Sequence, residues 1–231
     1  MVHIHFAPAE TFRGTQLLRQ SENRAYAFET SHKAVDADGA PRAYHPNDTG
    51  LDFLANAGYP NTNWWNSVLV PDPQHPAKAY VQPSGDAKGY FVSMTALRKV
   101  GGDPLDTATY VDSTRVPYVV IPSGFENLPN VAKQGDVGFA THIPSGKTTA
   151  FIVADAGGGN DAKLGEGSIA LFQALGGNNP NPRNGAGVPQ GAIQYILFPG
   201  SRPAPVERWP RTQPDIEAQV QQLLAATPGI D

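Results

Sequence analysis

The feature that most limits the fold of this chain is its punctuation. Seven short runs have the composition of strands, and none exceeds ten residues: VHIHF (2–6), RAYAFET (24–30), KGYFVSMTAL (88–97), PYVVIP (117–122), GFATHI (138–143), TTAFIVAD (148–155) and AIQYILFPG (192–200). Turn-forming clusters lie between them, among them YPNTN, QPSGD, IPSGK, DAGGGND and GGNNPNPRNGAG. Glycine (24) and proline (22) make up about a fifth of the 231 residues, while charged residues are only 16 %. A mainly helical protein would carry more charge and far fewer breakers. The pattern predicts a mainly β protein, built as one domain over 1–231.

Three segments read as helices. Residues 49–58 form a short one opened by Asp48 or Thr49, and 166–175 another, stopped by Gly176–Gly177. In 215–227, Ile216, Val220, Leu223 and Leu224 share one face, and Thr212 with Asp215 forms a capping box ahead of it. The proline-rich stretch 201–214 reads as an extended linker that lets this last helix pack back on the body.

Composition excludes several functions. The net charge of −4 and the lack of basic runs argue against nucleic acid. No apolar stretch is long enough for a membrane span. With no cysteine there is no disulfide, no thiolate metal site and no cysteine nucleophile. The opening MVHIHFAPAE lacks the basic and apolar regions of a signal peptide.

The densest chemical signal is residues 148–177. An apolar strand ends in Asp155, a loop with Gly157–Gly158–Gly159 follows, and Glu166 opens the next helix. Two carboxylates fixed on rigid elements suit glycoside hydrolysis: one protonates the leaving oxygen and the other activates water or attacks carbon. Helix capping and the helix dipole also favour acids at such places, so the segment alone leaves both readings open. The loop lacks the Lys and Ser/Thr of a phosphate-binding P-loop.

Several motifs, in order, resemble the family 75 chitosanases. They are DADGAPRAYHPNDTGLDFLANAG (36–58), the pair Trp64–Trp65, GYFVSMTAL (89–97), YVVIP (118–122) and FIVAD…GEGSIAL (151–171), so the resemblance covers roughly residues 24 to 200. It implies an endo-acting, inverting hydrolase of chitosan with Asp155 and Glu166 as the catalytic pair. The strand–Asp–Gly loop–acid arrangement is similar to that of double-psi β-barrels, such as expansins, family 45 endoglucanases and lytic transglycosylases. The resemblance therefore implies a six-stranded double-psi barrel core with short helices, a secreted monomer, no cofactor and a polysaccharide as partner. Residues 1–23 and the extension 201–231 have no counterpart in it.

Other candidates follow. Asp36 and Asp38 begin like a calcium loop, but Ala40, Pro41 and Asn47 break the pattern. In the family reading these carboxylates line the cleft and select the ammonium groups of chitosan. Tyr44 and His45 are candidate sugar contacts, with a turn-stabilising histidine as the alternative. Trp64 and Trp65 offer one stacking platform at most, because adjacent residues on a strand point to opposite faces. His3 and His5 lack a third ligand, so no metal site is expected. Two other functions compete: peptidoglycan cleavage by a transglycosylase-like barrel, and non-catalytic, expansin-like polysaccharide binding.

Overall fold

The computed structural model of the chain describes residues 3–203 and 209–230. Nine strands form one mixed sheet in the order β1-β2-β3-β9-β6-β7-β5-β8-β4. They are β1 (Ala7–Phe12), β2 (Thr15–Arg19), β3 (Tyr26–Thr30), β4 (Ala34–Asp36), β5 (Tyr118–Pro122), β6 (Val137–His142), β7 (Thr148–Gly157), β8 (Glu166–Ser168) and β9 (Ile193–Phe198). The two α-helices are α1 (Ile169–Ala174) and α2 (Gln213–Ala226).

The protein is mainly β, but its sheet does not close into the six-stranded double-psi barrel that the resemblance implies. Neighbours from β1 through β7 are antiparallel, β7–β5 and β4–β8 are parallel, and no ladder joins β1 to β4. The added β1–β2 hairpin extends the sheet beyond β3. Its two-residue turn, Arg13–Gly14, has positive φ at both positions, the twist that suits tight hairpins.

The central strands are buried on both faces. One face holds Phe28, Val119, Phe151, Val153 and Tyr195 under α1, which contributes Leu171 and Phe172. The opposite face holds Tyr118, Val120, Ile152, Ile196 and Phe198 under α2, which contributes Ile216 and Val220. Burial of each such aliphatic side chain is worth about 1.5–3 kcal/mol. The α2 helix begins on the expected capping box, with Thr212 and Asp215 each bonding the other's backbone.

Three sequence expectations fail locally. Residues 49–58 form turns instead of a helix. Side chains compete there for the backbone: Asp48 accepts from Leu54 N, and Asp52 from Phe53 N. Glu166 does not open a helix but lies on β8, and Ser168 is the N-cap of α1, accepting from Leu171 N. The runs 2–6 and 88–97 make isolated bridges only, at Ile4, Phe91 and Ser93; Val2 lies outside the described residues. The segment 88–97 belongs to a long excursion between β4 and β5. This excursion carries its own small cores, around Tyr44, Trp65 and Phe91 and around Val70, Val92 and Tyr110.

Candidate active site

The sheet brings three carboxylates, Asp36, Asp155 and Glu166, onto one face. Strand β8 lies between β5 and β4, with Val119 opposite Gly167 and Ala34 opposite Glu166. Val35, Val119 and Gly167 share one face, so Glu166 and Asp36 share the other. Only glycine fits at 167, because a Cβ there would lie 2.7 Å from the Tyr118 carbonyl oxygen and 2.4 Å from Leu171 Cδ2.

Asp155 reaches the same face through an irregularity. Val119 pairs with Val153, but Val120 pairs with Asp155, so Ala154 is an extra residue in β7. Regular pairing would set Asp155 opposite Ile121, on the side of the α1 core. The bulge turns it instead to Val120 and the cleft. Beyond it, the glycine loop is tied down. Ser123 N donates to Gly157 O and Ser123 Oγ to Gly158 O, while the Arg13 guanidinium reaches Ser123 O and Ala162 O.

The cleft has a volume of about 1010 Å³. The sheet supplies one wall, with Asp36, Val120, Asp155 and Glu166. The excursion supplies the other, with Asp38, Trp64, Met94 and Arg98 among its residues. Asp36, Asp38 and Asp155 each bring a carboxylate oxygen within 4.8 Å of the other two. That spacing suits a compact cation, an amino-sugar ammonium included. Asp36 Oδ1 accepts from Asp38 N (2.8 Å), and Asp38 Oδ1 from Ser93 Oγ (3.1 Å). The Tyr44 hydroxyl also bonds Asp38, from a fully buried position. Asp155 Oδ1 accepts two backbone N–H groups, Ala96 (3.0 Å) and Ala156 (2.8 Å).

Four acids in one desolvated cleft cannot all be ionised together. Burial, with Tyr118 and Asp38 N hydrogen bonds in partial compensation, lifts Asp36 to about 6. Burial and then the Asp36 charge lift Asp155 to about 8. Burial and then the charges of Asp36, Asp155 and Asp52 lift Glu166 to about 8. Asp38 is pushed well above the usual carboxylate range by burial and by Asp36 and Asp155. The two Asp155 amide donors favour its ionised form, whereas every influence on Glu166 favours the proton.

A family model described as fungal chitosanase of glycosyl hydrolase group 75 matches residues 34–226. The chain belongs to that family. Group 75 membership makes it a glycoside hydrolase that acts on chitosan. No curated protein matches the sequence. The match takes in all four carboxylates and runs on through α2, so the extension assigned to 201–231 lies largely inside the group 75 region. Strands β1–β3 precede it.

The sequence candidates part company in space. Asp36, Asp38, Asp155, Glu166 and Trp64 line the cleft. Trp64 is 45 % exposed, with its ring edge over Gly58, where a Cβ would meet it at 2.8 Å. Trp65 is buried against Tyr59 in the core of the excursion and does not reach the cleft wall. Tyr44 sits behind Asp38. His45 is not part of the wall; its ring packs on Tyr90 and its Nδ1 accepts from Asn47 N, which closes a turn.

Sequence reading missed Asp52, Asn56, Ser93, Arg98 and Tyr118. Asp52 is buried, accepts from Asn56 Nδ2 (2.8 Å), and raises Glu166 electrostatically. Arg183 holds the loop that carries it, donating to Asp48 O, Gly50 O and Asp52 O. No spacing in the sequence marks Ser93 or Tyr118, whose partner Asp38 lies 55 and 80 residues away, and the Asp52–Asn56 bond alone does not point to a cleft.

Proposed function

We propose that this group 75 protein is a single-domain, secreted, monomeric endo-chitosanase. It cleaves with inversion, with Glu166 as general acid and Asp155 as general base. The observation that carries this reading is the unequal support of two carboxylates on one cleft face. Glu166, pressed by three acidic neighbours, keeps its proton for the leaving oxygen. Asp155, held by two amide donors, is the better base for a water on the far face of the sugar.

The free cleft holds more protons than catalysis needs, and the substrate corrects this. Asp36, which ionises before Asp155 and Glu166, attracts the ammonium of a glucosamine unit. That ammonium, close to Asp38 and Asp155, replaces a proton as the compensating charge and brings Asp155 into its basic form. A neutral polymer offers no such charge, so selectivity for chitosan and activation of the base have one physical origin. Trp64 supplies an aromatic face for a sugar ring at the rim.

The test is release of reducing ends from highly deacetylated chitosan, with NMR of the first-formed anomer. The wild type is expected to cut and to yield the inverted anomer. Glu166→Gln and Asp155→Asn are each expected to lose at least ~10²-fold in kcat. A retained anomer removes Asp155 from the role of base, and near-normal kcat in either variant removes that residue from the pair.

A further inference from the structure

The cleft is not acidic throughout. Arg98 is a cation in its wall, bridged to Tyr110, which clusters with Val70 and Met94. Its position follows from the Asp155 contact. Ala96 N donates to Asp155 and Leu97 N to Ala154 O, and the Leu97 side chain enters the α2-side core. Ala96 and Arg98 both line the cleft. Arg98 lies two residues along the chain from the amide that holds the base.

Arg98 stands exposed in the cleft wall. It hydrogen bonds the Tyr110 hydroxyl, which donates in turn to Pro104 O at 3.1 Å. Among the described residues, no ion pair within 4.0 Å includes it. In an enzyme for a polycation, an unneutralised arginine in the cleft wall opposes a glucosamine unit beside it. An N-acetylglucosamine unit meets no such opposition. Its amide is neutral, its carbonyl can accept from the guanidinium, and its methyl has Val70 and Met94 to rest against.

Resting on the chitosanase reading, we infer that the cleft is divided by chemistry. The Asp36 end takes a glucosamine unit, and the Arg98 subsite takes an N-acetylglucosamine unit. The preferred substrate is then a partly acetylated chitosan, cut at a fixed position relative to an acetylated sugar. Arg98 is a specificity determinant and takes no part in proton transfer.

The experiment is limited digestion of randomly, partly acetylated chitosan, with mass-spectrometric sequencing of the products from both new ends. For the wild type, one position next to the cut should carry N-acetylglucosamine about tenfold above its share in the polymer, as one uncompensated like-charge contact predicts. Arg98→Gln should bring that position back towards the bulk composition, and Arg98→Glu should enrich glucosamine there. Random composition at every position in the wild type overturns the inference while leaving the chitosanase reading intact. So does an enrichment that both variants retain. If the wild type cuts neither the acetylated nor the fully deacetylated polymer, the proposed function fails and this inference falls with it.

Discussion

Replacing Asp36 by asparagine should shift the pH profile of the enzyme without dismantling the site. Asp36 is the first-named charge raising both Asp155 and Glu166. With its own ionisation near 6, it is negative over the range in which the other two titrate. Asn retains an oxygen to accept from Asp38 N, so the local bond at 2.8 Å survives. The Asp36 and Asp155 oxygens lie within 4.8 Å. At that distance one charge pair is worth about 3.5 kcal/mol at an effective dielectric constant of 20, and about 0.9 kcal/mol in bulk water. Loss of the charge makes both remaining acids easier to ionise, so both limbs of the kcat/KM profile should move to lower pH, by about one to two pH units. The assay is initial rate against pH on a short glucosamine oligomer, whose own amino groups titrate alike for both enzymes. A profile that stays in place, or moves to higher pH, refutes the electrostatic account of the cleft.

Three further outcomes follow from the same structure. Glu166→Gln should be more stable than the wild type at pH 8, by a few kcal/mol at most, and equal to it near pH 4. A carboxyl raised from 4.5 to about 8 on folding contributes stability that is lost as pH rises through that window. Thermal melts should show on the order of 5 °C at pH 8, and an equal difference at both pH values would contradict the linkage. Trp65→Ala should cost about 3–5 kcal/mol in denaturant unfolding, whereas Trp64→Ala should leave stability nearly unchanged and raise KM, because only Trp65 is buried. Gly138→Ala should cost about 3 kcal/mol, since a Cβ there would lie 2.5 Å from Ile196 O and 2.4 Å from the Phe151 ring; a stability equal to wild type would mean that this crossing of β6, β7 and β9 is looser than drawn.

Local signals in the sequence determined much of this protein. The apolar runs at 117–122, 138–143, 148–155 and 192–200 became the central strands, because a strand buried on both faces must be apolar along its whole length. The capping box at Thr212 and the apolar stripe of Ile216 and Val220 marked α2 for the same kind of reason. The motif around Asp155 and Glu166, with its glycines, marked two acids that line the cleft. Tertiary structure alone decided the rest. Only pairing with β5 creates the bulge at Ala154 that swings Asp155 into the cleft, and only β8–β4 register sets Asp36 beside Glu166. Asp52, Ser93 and Arg98 are ordinary polar residues along the chain; they gain meaning when the 37–117 excursion folds over the sheet. The two tryptophans are adjacent in sequence and equal in composition, yet packing sends one to the core and the other to the cleft. Periodicity reports which way a side chain points within its own element, while a cleft is made of distances between elements, which depend on pairings far apart in the chain.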